Sequence, residues 1–280
     1  MDTHDQLPPL RDIIAQFDLG AKKSLGQHFL LDQNLTDRIA RISGNSDGNL
    51  SQFTVIEIGP GPGGLTRSLL ANNPRHLYAI ERDRRCIEAL AGLRELYAEI
   101  FTVESANALK TDISILGVAP RRIVANLPYN ISTALLITWL RKIENIDQMT
   151  LMFQKEVVDR IISKPSRKTY GRLSVITQWL CETKFEFHVD KRAFTPPPKI
   201  MSSVLTLKPR PTPLHAAQFS NMEQVTAAAF GQRRKMLRSS LKPLDLDIGA
   251  LGIDPRARAE NLSIEEFCLL ANEVGGRQEV

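Results

Sequence analysis

Cysteine is scarce. Cys86, Cys181 and Cys268 are the only three in 280 residues, odd in number and far apart. Without a C-x-x-C spacing they suggest neither a disulfide framework nor a zinc site, and a reducing compartment is expected. The histidines, His4, His28, His76, His188 and His215, are scattered without metal-ligand spacing, so no metal is expected. No run of about 18 apolar residues occurs, and Met1 to Asp12 is acidic and proline-bearing where a secretory leader would be basic and then apolar. Neither membrane insertion nor secretion is expected; the cytoplasm is. What remains is ordinary globular composition, 42% hydrophobic and 24% charged, long enough for one large domain or one large plus one small. The net charge of +5 favours an anionic partner, although many soluble proteins reach such values without binding nucleic acid.

Short apolar, β-branched runs alternate with amphipathic stretches over most of the chain. Strands are predicted at 53–58, 76–81, 100–103, 123–125 and 149–153. Helices are predicted at 34–42, up to about Ala71, from a cap at Asp83, at 132–142 with Ser132 as N-cap, at 156–162 and at 173–180. Late strands at 185–189 and 203–207 would finish the sheet. This alternation implies a doubly wound parallel α/β domain. Residues 1–21 read as a tail with a short helix near 10–17. Around Pro209 to Pro213 the composition shifts, and helices at 222–230, 233–241 and 264–271, the last capped by Ser263, imply a small helical domain. The expected division is therefore 1–21, 22–208 and 209–280.

The first strand runs into Gly59-Pro60-Gly61-Pro62-Gly63-Gly64, so Gly59, Gly61 and Gly64 satisfy G-x-G-x-x-G, and Glu81 follows at the separation of a ribose-binding acid. A nicotinamide or flavin dinucleotide is the first reading, and a ligand-free Gly/Pro turn is another. Pro60 and Pro62, however, have no N–H to offer a pyrophosphate, and Glu57 adds a carboxylate nearby. A sulfonium ligand without phosphate tolerates both. S-adenosylmethionine is thus favoured, with Glu81 on its ribose hydroxyls and Asn107 beside its adenine.

Asn126-Leu127-Pro128-Tyr129-Asn130 leaves the end of the strand at 123–125. An exocyclic adenine amine is a poor nucleophile because its lone pair is delocalised into the ring. The Asn126 side-chain oxygen and a main-chain carbonyl near Leu127 and Pro128 could each accept one of its N–H bonds, while Tyr129 stacks on the base. The same letters also fit a plain strand exit with a turn-forming proline.

With these motifs in this order, the chain resembles the ribosomal RNA adenine N6-dimethyltransferases, and most closely their bacterial small-subunit branch, linked to kasugamycin sensitivity. The resemblance runs from about Lys22 to the C-terminus. It is most specific at Leu25-Gly26-Gln27-His28-Phe29-Leu30, at 126–132, at Phe194-Thr195-Pro196-Pro197-Pro198-Lys199 and at Phe230-Gly231-Gln232-Arg233-Arg234-Lys235. It implies a Rossmann-like class I methyltransferase domain followed by the helical domain. It implies further that His28, Leu30, Gly59, Glu81, Asn107 and Asn126 hold the donor, and that Tyr129 and Phe194 sandwich the target adenine. The substrate would be two adjacent adenosines in a hairpin loop near the 3' end of small-subunit rRNA, two methyls on each, within an assembling 30S particle; a monomer is expected. His28 and Asn107 stand where the family generally has Asn and Asp, which bears on donor affinity. The related large-subunit rRNA methylase, or a non-catalytic RNA-binding factor on the same fold, are the competing functions.

Basic clusters supply candidate RNA contacts. Lys22 and Lys23 lie on the N-terminal arm, Arg167 and Lys168 in a loop with Tyr170, and Arg233, Arg234, Lys235 and Arg238 on a predicted helix.

Overall fold

The structure, a computed structural model, describes residues 7–20 and 27–276. Lys22 and Lys23 lie outside the described residues. The chain divides into two compact units, one of 1–155 with 184–208 and the other of 156–183 with 209–280. The second unit thus draws on a segment, 156–183, that the linear reading assigns to the α/β domain.

In the first unit, β1 (Phe29–Leu30) and β8 (Phe194–Thr195) form a two-stranded ladder of their own. The main sheet contains β2 (Thr54–Ile58), β3 (His76–Glu81), β4 (Phe101–Ser105), β5 (Arg121–Asn126), β6 (Gln148–Gln154), β7 (Cys181–Val189) and β9 (Ser202–Pro209). Its order is β4-β3-β2-β5-β6-β9-β7, parallel from β4 to β6, with β9 antiparallel to β6. The central strands are mainly apolar because both of their faces are covered; all five residues of β2 are buried, Glu57 among them. By contrast β7, the last strand in the order, is buried only at Cys181, Phe187 and Val189 and carries Glu182, Lys184 and Glu186, charges that discourage further strand pairing. Along the chain the order runs outward from β2 through β3 and β4, then restarts at β5 on the other side of β2. That reversal creates a crevice at the carboxyl ends of β2 and β5, where open α/β sheets bind ligands.

The helices of this unit are α1 (Leu10–Gln16), α2 (Gln33–Ser43), α3 (Gly64–Ala71), α4 (Arg84–Ala89), α5 (Ala91–Leu96) and α6 (Ser132–Leu140). Asp83 caps α4 as expected, its side chain accepting from Arg85 N–H. Ser132 does not cap α6: Ile131 holds that position, and the Ser132 hydroxyl turns back to donate to the Tyr129 carbonyl at 3.2 Å. At the far end of β5 from the crevice, the nearly buried Arg122 bonds Asp147 at 2.7 Å and the Ser43 carbonyl at 2.6 Å, with its guanidinium 3.4 Å above the Phe53 ring. These contacts tie α2, β5 and β6 together at the base of the sheet.

The second unit holds α7 (Lys155–Ile161), α8 (Arg172–Leu180), α9 (Phe219–Gly231), α10 (Leu237–Ser240) and α11 (Ile264–Gly276). Its core includes the ring series Tyr170, Phe230 and Phe267, with centroids 6.1 and 5.5 Å apart. Ser263 and Glu266 form the reciprocal capping box that starts α11, each side chain bonding the other's N–H. The helix predicted at 233–241 is not continuous. Residues 232–236 turn, and α10 begins only at Leu237. The reason is a tertiary contact: the Arg233 guanidinium bonds the carbonyls of Lys168 and Tyr170 at 2.8 and 2.7 Å, with Glu260 at 3.3 Å. Among the described residues no helix is long and apolar enough to cross a membrane.

Candidate active site

Parallel register puts the predicted residues together. Ile58 pairs with Ile80 on one side of β2, and Glu57 pairs with Val124 on the other. Glu81 and Asn126 therefore flank Gly59, one on each neighbouring strand, and the period of two places both on the sheet face that also carries Glu57. The crevice between them encloses about 1170 Å³ including its open mouth. Of the expected donor and catalytic residues, His28, Leu30, Gly59, Glu81, Asn107, Asn126, Leu127, Pro128 and Tyr129 all line it.

The glycine loop closes on itself. Gly59 N–H bonds the Ile80 carbonyl at 2.9 Å, Gly61 N–H the Glu81 carboxylate at 3.1 Å and Gly63 N–H the Pro60 carbonyl at 3.0 Å. With Pro60 and Pro62 offering no N–H at all, the loop has little to give a pyrophosphate, which argues against a dinucleotide. At Gly64 a Cβ would lie 2.5 Å from the Leu30 carbonyl oxygen, a backbone atom that cannot swing aside. Glycine is required there for β1 to cross the start of α3.

Glu81 is 7% exposed and accepts three main-chain bonds, from Gly61 and from Arg82 and Asp83 at 2.7 and 2.8 Å. Burial nonetheless raises its carboxyl above the usual range, against the pull of those N–H groups. Beside it Asp83 is held down at about 2, chiefly by Arg85, and also accepts from Gln27 at 3.2 Å. Gln27 thereby pins the segment leading into β1 to the start of α4. Asn107 accepts from Leu109 N–H through Oδ1 at 3.1 Å, a local turn that uses one lone pair of that oxygen.

On the other side of Gly59, the Asn126 amide nitrogen donates to the His28 carbonyl at 3.0 Å. Because that carbonyl can only accept, the amide is oriented with Nδ2 toward β1, leaving Oδ1 as its acceptor for anything in the crevice. The Pro128 carbonyl takes Ile131 N–H at 3.1 Å, which makes the Leu127 carbonyl the better second acceptor. Tyr129 bonds Ser202 through its hydroxyl at 2.5 Å, and its ring stacks on His28 with centroids 5.4 Å apart. Burial raises its phenol pKa. The His28 imidazole in turn bonds the Pro196 carbonyl at 2.8 Å.

Phe194 departs from expectation. It is 2% exposed and packs in the core with Leu30, Val189 and Val204, because its strand pairs with β1 and the ring turns inward. It does not line the crevice. Tyr170, expected in an RNA-facing loop, is fully buried, and burial raises its phenol pKa. Arg167 and Lys168 are exposed, as are Arg234, Lys235 and Arg238. The bonds of Arg233 bring these two stretches together within the second unit, while making Arg233 itself a structural tie. Two residues of the site escape a reading of the sequence. Ser202 is one, since an isolated serine carries no signal; the clamping role of Gln27 is the other, since its motif does not reveal its partner. Among the described residues no group of three or more His, Cys, Asp or Glu is placed to hold a metal.

An α/β domain with its crevice at the strand switch, an acid on one side and an Asn-Leu-Pro-Tyr exit on the other, has the layout of a nucleoside-handling transferase. The chain belongs to the ribosomal RNA adenine dimethylase family, which it matches over residues 19–275. It is 55% identical over 273 residues to the ribosomal RNA small subunit methyltransferase A of Rhodospirillum rubrum, covering 96% of this chain and 93% of that one. With the protein of the same description from Paramagnetospirillum magneticum it shares 56% over 275 residues, covering 97% and 96%. Among solved structures, a dimethyladenosine transferase from Plasmodium falciparum superposes with a TM-score of 0.73 at 24% identity, covering 90% of this chain and 98% of that one. The 23S rRNA methyltransferase ErmE superposes with 0.65 at 25% identity, covering 88% and 99%. The fold is thus that of the class I methyltransferases.

Proposed function

We propose that this chain transfers methyl groups from S-adenosylmethionine to N6 of two adjacent adenosines in a 3'-terminal hairpin loop of small-subunit rRNA, dimethylating each, on an assembling 30S particle. The observation that carries the reading is the orientation of Asn126, whose Nδ2 is committed to the His28 carbonyl so that Oδ1 is presented beside Gly59 and Glu81.

The residues present fit the donor. Its adenosine would lie across the Gly59 turn, with its ribose hydroxyls on the remaining lone pairs of Glu81 and its adenine beside Asn107. The segment from His28 to Leu30 would close over its methionine end. When bound, the donor supplies an electrophilic methyl on a positively charged sulfur. In the first transfer Asn126 Oδ1 and the Leu127 carbonyl would accept the two N6 hydrogens, and in the second one of them would accept the single hydrogen that remains. These bonds draw the nitrogen lone pair out of the ring, stabilising charge that develops only during attack. The N–C bond forms as the S–C bond breaks, and the nitrogen then loses a proton to solvent, so no ionised base is needed. Tyr129 holds the flipped base by stacking, its ring fixed at one end by Ser202 and along one face by His28. Phe194 could join that stack only if the β1–β8 pair shifted to release it. Arg167, Lys168, Arg234, Lys235 and Arg238 supply the second unit's phosphate contacts.

The test is methyl incorporation from labelled donor into small and large ribosomal particles lacking the modification. Incorporation is expected in the small particle, at adenine N6, and much more slowly in protein-free rRNA. Labelling of the large particle instead would overturn the substrate assignment.

A further inference from the structure

One buried acid in the crevice is not accounted for by these roles. Glu57 is 1% exposed, lines the crevice, and has an oxygen, Oε2, without a hydrogen-bond partner. On α3, the Thr66 hydroxyl lies close enough to act on it, but neither that hydroxyl nor Glu57 Oε2 completes a hydrogen bond. From β3 the ionisable group that acts on it is another carboxylate, Glu81, and from β5 the register partner is the apolar Val124. Arg82 is the one arginine or lysine lining the crevice among the described residues, and it is exposed. A carboxylate so enclosed, with no buried lysine or arginine facing it among the described residues, stays protonated. Burial pushes Glu57 up to about 8, with the nearby Thr66 hydroxyl pulling against it and the charge of Glu81 adding to it.

Its position matters as much as its burial. Glu57 pairs with Val124, two residues before Asn126 on the adjacent strand and on the same sheet face. That puts its Cα roughly 7 Å down the sheet and about 5 Å across from the residue that holds the reacting nitrogen. A methyl-bearing sulfur presented to Asn126 is therefore within reach of the Glu57 side chain.

We propose that Glu57 is a proton-linked counter-charge that distinguishes the donor's sulfonium from the neutral thioether left after transfer. This rests on S-adenosylmethionine being the donor. Binding the sulfonium ionises Glu57 and releases its proton to solvent. Methyl transfer leaves sulfur neutral, the carboxylate loses its partner, and Glu57 takes a proton back from solvent. Its own contribution cancels over a turnover, so the single proton released overall is the one lost by the substrate amine. Product is thus favoured to leave and fresh donor to enter.

The test is calorimetric titration of the full chain with S-adenosylmethionine and with S-adenosylhomocysteine, at pH 6, 7 and 8, in buffers of differing ionisation enthalpy. At pH 7 the donor should release close to one proton more than the product. Its affinity relative to the product should rise about tenfold per pH unit up to about 8. The isosteric Glu57→Gln should abolish both differences. Equal proton release for the two ligands, or an unchanged difference in Glu57→Gln, would overturn the proposal. Because the two ligands are compared on the wild-type chain, that result stands even if the variant fails to fold. Failure of S-adenosylmethionine to bind at all would instead overturn the functional reading.

Discussion

Glu81 and Asn126 stand at equivalent places, each at the end of a strand beside Gly59, yet they are held in different ways. The Glu81 carboxylate is fixed by three main-chain N–H groups, all within the 61–83 region. Asn126 depends on one bond to the carbonyl of His28, 98 residues away. The ribose end of the donor site is consequently built by nearby chain geometry, whereas the acceptor side, like the methionine end of the donor site, is complete only when β1 lies across α3 and pairs with β8. Pre-organisation is intrinsic at the ribose end and borrowed from the tertiary fold at the other two.

The sharpest way to break this contrast is Asn126→Ala. It should cost about a hundred- to a thousandfold in kcat on the rRNA particle, with a far smaller change in donor Kd, as removal of one transition-state acceptor implies. A defect found wholly in donor affinity, read by calorimetry, would move Asn126 from catalysis to binding. Glu81→Gln should do the reverse, weakening donor binding roughly ten- to a hundredfold while kcat at saturating donor falls little. Gln27→Ala removes the tie between the segment entering β1 and Asp83. It should cost about five- to tenfold in kcat/KM, and protease sensitivity near residue 27 should rise in parallel if the segment loosens. Smallest is Ser202→Ala, which leaves Tyr129 without its hydroxyl partner and should raise KM for the particle about two- to fivefold with donor Kd unchanged. An effect on donor Kd there would mean that the two sides are coupled more tightly than the geometry implies.

Most of the sheet is legible in the amino-acid order because β2, β3, β5 and β6 are largely buried and appear as mainly apolar runs. Their ends differ from the predicted ones by no more than two residues. The Ser132 cap and the helix at 233–241 depart from expectation for different reasons. At Ser132 a competing local bond takes the hydroxyl back to the Tyr129 carbonyl three residues earlier, whereas at 233–241 the distant carbonyls of Lys168 and Tyr170 claim Arg233. Phe194 departs differently. Its motif, with three prolines following, reads as a stiff turn presenting a ring, and nothing local reveals that pairing with Leu30 sends that ring into the core.

The amino-acid order by itself determined the α/β class, the family, and a candidate set of donor-side and acceptor-side groups, because these depend on period, on residues lacking an N–H or a Cβ, and on short motifs. Only the tertiary structure decided which way the Asn126 amide faces, that Phe194 is buried, that Arg233 is a tie, and that Glu57 is enclosed with no buried lysine or arginine facing it among the described residues. Each of those depends on a partner far away in sequence or on the dielectric of an assembled crevice, and neither exists until the strands are side by side.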